Sequence, residues 1–154
     1  MKTTISIKQV GDDAKQIYQA GELECAQAVV WAIIKNLDPQ MPEALMHAAS
    51  GFSVGVGKTQ CMCSTVSAAV LCLGYFFGRT FPTTPTDPSS LKTLTLAFEL
   101  QEVVKKQNKV LCCHLIRKGA SDQQRLEKCA NTISLAAAKV AEIIALELNL
   151  KVVA

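Results

Sequence analysis

The sequence predicts an all-α protein, a single-domain bundle of about five or six helices spanning residues 1–154. The chain has 154 residues, a length typical of one domain. Its hydrophobic fraction is 49% but its aromatic fraction only 5%, so Ala, Val, Leu and Ile must build the core, which suits packed helices. Apolar residues also recur at the three- and four-residue spacing of a buried helix face.

The first three helices are predicted from capping residues and helix breakers. Asp12-Asp13 is expected to cap a short helix that ends near Gly21, where glycine can adopt the left-handed conformation. A second helix then begins at once, with Cys25 in its first turn, and ends at Asp38-Pro39. Pro42 opens a short third helix.

A glycine-rich segment, residues 51–59, leads into an uncharged helix that Thr59 can cap. Cys61 and Cys63 would then lie in its first turn, and Cys72, in its apolar middle, is expected to be a core residue. Residues 59–78 carry no formal charge, but the first half is polar, so we expect no membrane span.

The C-terminal half begins with a loop, predicted at residues 79–90 from its three prolines. Ser89 or Ser90 can cap the helix that follows. The spacing predicts that this helix buries Leu91, Leu94, Phe98 and Val104. A short apolar turn at residues 110–116 and a long helix starting at Ser121-Asp122 complete the bundle.

Charge and cysteine content narrow the class of function. The formal net charge is +3 and the basic residues are scattered, so we expect no nucleic-acid partner. The first residues contain no apolar run of the kind that a secretory signal has, which favours a cytoplasmic location. Because cytoplasmic thiols are kept reduced, seven cysteines there favour metal binding or catalysis over disulfide staples.

The candidates for chemistry are cysteines at predicted helix starts, where unpaired N–H groups and the helix dipole stabilise a thiolate. They are Cys25, the pair Cys61 and Cys63, and the pair Cys112 and Cys113. Since the thiolate is the nucleophile and the metal ligand, we expect lowered thiol pKa values at these positions.

Two further residues are candidates. Cys129 lies about two turns into the last helix, on its predicted buried face. His114 follows the second cysteine pair directly and is a secondary candidate, as proton acceptor or metal ligand.

Four segments resemble, in order, the motifs of the C-GCAxxG-C-C family of redox-active proteins. They are residues 22–29 around Cys25, the glycine-rich lead 51–57 with its helix ending at Leu73-Gly74, residues 112–116, and residues 128–130. The resemblance implies thiol redox or iron–sulfur function in a cytoplasmic bacterial or archaeal protein. It also implies a set of four cysteines, Cys25, Cys63, Cys112 and Cys129, with Cys61 and Cys113 as secondary candidates.

The signature Cys-Gly-Ala-x-x-Gly reads Cys63-Ser64-Thr65-Val66-Ser67-Ala68 in this chain, so small residues replace both of its glycines.

Three functions remain open at this point. The first is thiol–disulfide or electron-transfer chemistry, as in a thiol oxidoreductase, with Cys63 attacking, Cys25 resolving and an unidentified redox partner. The second is binding of zinc or an iron–sulfur cluster by the same four thiolates. The third is a structural helical homo-oligomer that associates through Ala-rich and Val-rich faces. Exchange requires two sulfurs within reach, a metal site requires four around one point, and a structural role predicts dispersed cysteines.

Overall fold

The computed structural model describes residues 1–154 and contains seven helices and one pair of short strands. The helices are α1 (Ile7–Gln19), α2 (Cys25–Asn36), α3 (Glu43–Ser50), α4 (Ser64–Phe77), α5 (Pro88–Asn108), α6 (Cys113–Arg117) and α7 (Asp122–Glu147). The strands β1 (Thr4–Ile5) and β2 (Lys151–Val152) pair in parallel, with Thr4 opposite Lys151.

Helices make up 64% of the chain, so its predominantly helical class is confirmed. The number of helices is seven, where five or six were predicted. Part of the difference is α6, which lies where the sequence predicted an apolar turn. Its five residues are too few to show a helical period.

The long helix α7 is the element against which most of the others pack. It contacts α1, α2, α4, α5 and α6, and its buried side chains are mainly Ala, Ile and Val. Ser121 caps α7 as predicted, in a capping box with Gln124. Gly11 lets α1 approach α7 closely, because a Cβ at this position would lie 2.9 Å from the carbonyl oxygen of Ser134 in α7. The core therefore depends on small residues at the helix contacts.

The first helix begins earlier than predicted, since Ser6 caps it and not the pair Asp12-Asp13. Asp13 is buried inside α1, where it accepts a 2.8 Å hydrogen bond from Asn36 Nδ2 and pairs with Lys35 Nζ at 3.0 Å. Burial alone would raise the pKa of this carboxyl group, but its hydrogen-bond partners and Lys35 hold the pKa below its ordinary value. Asp13 thus joins α1 to α2.

The loop predicted at residues 79–90 ends sooner, because α5 begins at Pro88. Asp87 is the cap, and its carboxylate accepts hydrogen bonds from the backbone N–H groups of Ser89 and Ser90. Proline fits the first helical position because its missing N–H had no partner there. The predicted serine caps therefore lie inside the helix.

The buried face predicted for α5 is wrong in part. Leu94 and Phe98 are 66% and 64% exposed, and Leu91 is exposed as well. The face that packs against α4 and α7 consists of Leu96, Ala97, Leu100 and Val104. The helix α5 therefore has two apolar faces. Of the four residues predicted to be buried, only Val104 lies on the face that is buried.

One helix, α7, is long and apolar enough to cross a membrane by length and composition. However, 56% of its most apolar stretch is buried inside the fold, as in the core helix of a water-soluble protein. Of the uncharged residues 59–78, only the 14 residues Ser64–Phe77 are helical, and they form α4.

Cys72 lies in the middle of α4 with no exposed surface, so its predicted role as a core residue is confirmed. Burial raises the pKa of its thiol to about 12, because a thiolate at this position would lose its hydration.

The raised pKa of Cys72 should make the protein less stable in alkali. Between its ordinary pKa near 9 and about 12, Cys72 keeps its proton in the folded state but loses it in the unfolded state. The unfolded state then binds fewer protons, so the free energy of unfolding falls as the pH rises. Replacing Cys72 by Ala should remove on the order of 1 kcal/mol of the loss between about pH 8 and about pH 10. Urea unfolding at both pH values measures it, and an unchanged pH dependence would contradict the assignment.

Candidate functional site

A narrow cavity lies where the starts of α2, α4 and α6 meet the first half of α7. Four thiols line it: Cys25, Cys63, Cys113 and Cys129. The other lining residues are Ser64, Thr65, Ile116, Arg117 and Thr132. The volume is about 30 Å³, which is room for about one water molecule. Three of the four cysteines of the predicted set therefore share this space.

The helix starts hold the thiols at the cavity. Cys25 is the first residue of α2, Cys63 is the N-cap of α4, and Cys113 is the first residue of α6. Cys129 reaches the same space from the second turn of α7. The site is thus built from residues of four different helices.

Cys113, and not the predicted Cys112, lines the cavity. Met62 and Cys112 form an isolated antiparallel bridge, so the chain is extended around both residues. Because side chains alternate between the two faces of an extended pair, Cys63 and Cys113 lie on one face and Cys112 on the other. The Cys112 thiol instead donates a 3.5 Å hydrogen bond to the carbonyl oxygen of Gln60.

Cys61 also lies outside the cavity, and it is exposed. The prediction that Thr59 caps α4 is wrong, because the N-cap is Cys63, four residues later, and Cys61 remains in the preceding segment. Residues 54–58 of that segment all have positive φ angles between 56° and 68°. A left-handed backbone costs non-glycine residues about 1 to 2 kcal/mol each, so the surrounding contacts must hold it in place.

Two contacts hold the glycine-rich segment at the cavity. A Cβ on Gly55 would lie 2.8 Å from the Cβ of Cys113, so only glycine fits against α6 at this point. The Ser64 hydroxyl accepts a 2.7 Å hydrogen bond from Gly55 N–H and donates to the carbonyl oxygen of Phe52. Ser64, which replaces the first glycine of the signature, therefore ties the segment to the start of α4.

Burial has the largest effect on the pKa of the Cys63 thiol. It raises the thiol pKa, although the Thr65 hydroxyl and the backbone N–H groups of Thr65 and Val66 stabilise the thiolate. The lowered pKa predicted for this helix-start cysteine is therefore wrong. The loss of hydration raises the pKa of this thiol by more than the N–H groups at the helix start lower it.

The thiols of Cys113 and Cys129 behave in the same way. Burial raises both pKa values. The Arg117 side chain partly lowers the pKa of Cys113, and a hydrogen bond with the Tyr18 hydroxyl partly lowers that of Cys129. The pKa of Tyr18 is itself raised, first by burial and then by the charges that Cys129 and Cys25 would carry. The sequence indicated Arg117 only as a nearby charge and contained no signal for Tyr18.

Cys25 is electrostatically linked to all the other thiols of the cavity. A negative charge on Cys25 raises the pKa of Cys63, Cys113 and Cys129. Cys25 lines the same cavity as these three thiols. All seven cysteines of the chain are free thiols in this structure.

The cavity does not have the form of a metal centre. No group of three or more His, Cys, Asp and Glu side chains in the structure could hold a metal ion. Zinc and iron–sulfur clusters need several thiolates at bonding distance from one point, and the structure holds no such group. His114 lies outside the cavity and lines a separate polar pocket.

Thiol alkylation should separate exposed from buried cysteines. Near pH 7, iodoacetamide should modify the exposed Cys61 first. The half-buried Cys63 and Cys129 and the buried Cys113 should react slowly, because their pKa values are raised. Their rates should increase steeply towards about pH 9 and above, as the thiolate fraction grows. Peptide mapping by mass spectrometry gives the rate at each site. Labelling of Cys63 as fast as that of Cys61 near pH 7 would refute the burial argument.

Comparison with known proteins supports the resemblance seen in the sequence. A family model described as "Putative redox-active protein (C_GCAxxG_C_C)" matches residues 23–143. No curated protein and no solved structure matches the chain. The matched region contains all seven cysteines and every residue that lines the thiol cavity. The chain therefore belongs to the C_GCAxxG_C_C family.

Proposed function

We propose that this protein carries out thiol–disulfide exchange through the thiols of the cavity, as a cytoplasmic thiol oxidoreductase. The observation that supports the proposal is the meeting of Cys25, Cys63, Cys113 and Cys129 at one space of about 30 Å³. Cysteines that served only to fill the core would be dispersed, as Cys72 is. A space of this size suits a reaction between neighbouring sulfurs better than the binding of a large group.

In the proposed reaction, the Cys63 thiolate attacks one sulfur of a substrate disulfide. The substrate S–S bond breaks, one half leaves as a thiolate, and the other half stays bound to Cys63 as a mixed disulfide. Cys25 then attacks the Cys63 sulfur, forms a disulfide within the protein and releases the second half of the substrate. Two electrons pass from the two cysteines to the substrate, and the two cysteine protons end on the released thiolates. The reverse reaction oxidises two substrate thiols.

Attack by Cys63 requires its thiolate, which the surroundings of this residue keep a minor species near pH 7. Its raised pKa keeps the sulfur protonated at rest, which protects it from unspecific oxidation. Two backbone N–H groups and the Thr65 hydroxyl are in place to stabilise the thiolate once it forms. Cys25 is the proposed resolving thiol because it lines the same cavity as Cys63, at the start of the neighbouring helix α2.

A single turnover with an aromatic disulfide that releases a coloured thiolate tests this proposal. In a variant without the outer thiols, Cys61→Ser with Cys112→Ser, about two equivalents of coloured thiolate should appear, because attack and resolution each release one. The protein should end with an internal disulfide and no bound reagent. Adding Cys25→Ser should reduce the release to about one equivalent and leave the reagent attached to Cys63. Absorbance and intact mass give both quantities.

The matched controls are the two single substitutions of outer thiols, Cys61→Ser and Cys112→Ser, which should still form the internal disulfide. Circular dichroism of each variant checks that the helices are retained. Failure of Cys112→Ser to form the disulfide would contradict the cavity assignment. A stable mixed disulfide in the chain that retains Cys25 would refute its role as the resolving thiol.

A further inference from the structure

A second, polar pocket lies next to the thiol cavity. It has a volume of about 240 Å³ and no hydrophobic residue in its lining. The lining residues are Gln60, His114, Arg117, Lys118, Gly119 and Arg125. The end of the glycine-rich segment, the helix α6 and the first turn of α7 thus surround it, and we call it the basic pocket.

The basic pocket has a positive charge that the protein does not neutralise. Three of its six residues are Arg or Lys, and none is Asp or Glu. Arg125 pairs with Asp122 at 3.3 Å and also donates a hydrogen bond to the carbonyl oxygen of Ala120. Arg117 and Lys118 form no ion pair in the structure. Two cations therefore remain available to an anionic ligand.

Arg117 connects this charge with the thiols. It lines both the basic pocket and the thiol cavity. The Arg117 side chain lowers the pKa of Cys113, against the effect of burial. Its positive charge also lowers the pKa of Cys129. An anion bound by Arg117 in the basic pocket would therefore lie next to the thiol cavity.

We propose that the basic pocket binds the anionic group of the substrate, and that this substrate is a small disulfide or thiol carrying carboxylates. This inference rests on the proposed exchange reaction and adds the substrate class. Arg117 and Lys118 would hold the carboxylate, since guanidinium and ammonium groups bind carboxylates by charge-assisted hydrogen bonds. A pocket of about 240 Å³ is below the usual range for drug-sized ligands, which suits one half of a small disulfide.

Binding at this pocket requires no change in the reaction. The carboxylate stays in the basic pocket while Cys63 attacks the substrate disulfide, and the bonds and electrons balance as described above. Binding in the pocket would orient the substrate for attack. The positive charge of the pocket would raise the local concentration of anionic substrates relative to neutral ones.

The test compares how fast three small disulfides oxidise the cavity thiols: the anionic 3,3′-dithiodipropionate, the neutral 2-hydroxyethyl disulfide and the cationic cystamine. At low salt the anionic disulfide should react about threefold to tenfold faster than the neutral one, and the cationic one should react slowest. Added salt should reduce the preference, because both cations are screened. The Lys118→Gln variant should lose most of the preference for the anionic over the neutral disulfide.

Controls separate this inference from the exchange reaction itself. Lys106→Gln makes the same charge change on an exposed position of α5 and should keep the full preference. Arg117→Lys retains the charge and should keep more of the preference than Arg117→Gln. Equal rates for the anionic and neutral disulfides would overturn the substrate class and leave the exchange reaction standing. Failure of all three to oxidise the cavity thiols would refute the exchange reaction.

Discussion

The close contact between Gly55 and Cys113 is the constraint on which the rest of the site depends. A Cβ on Gly55 would lie 2.8 Å from the Cβ of Cys113, so the glycine-rich segment can lie on α6 only because this position has no side chain. The hydrogen bond from Gly55 N–H to Ser64 fixes the same segment to α4. Together these contacts bring Cys63 and Cys113 to one cavity, which α2 and α7 complete.

Burial of the thiols is the second determinant of their chemistry. A helix start stabilises a thiolate when water can reach it, but Cys63 and Cys113 are enclosed and their pKa values increase. The site therefore holds protonated thiols close together, with N–H donors and Arg117 ready to stabilise the charge when it forms. A thiol in such surroundings is less reactive near neutral pH than an exposed one.

The sequence predicted those features of the site that depend on local signals. Cys25 at the start of α2 and Ser121 at the start of α7 follow from caps and apolar spacing within a few residues. The choice between Cys112 and Cys113 depends on pairing with Met62, 50 residues away, and adjacent cysteines leave no local signal for it. The left-handed segment and the exposed apolar face of α5 were missed for the same reason, because distant contacts determine both.

The most direct test of the account is the content of iron, zinc and acid-labile sulfide in protein purified without oxygen, followed by a thiol titration before and after mild oxidation. A site for thiol–disulfide exchange should contain no stoichiometric metal or sulfide, and seven thiols should be titratable, as in the structure. Oxidation should remove two thiols, and a dithiol reductant should restore them. Stoichiometric zinc, or iron with sulfide, bound by the cavity thiols would contradict the account and make the cavity a metal centre.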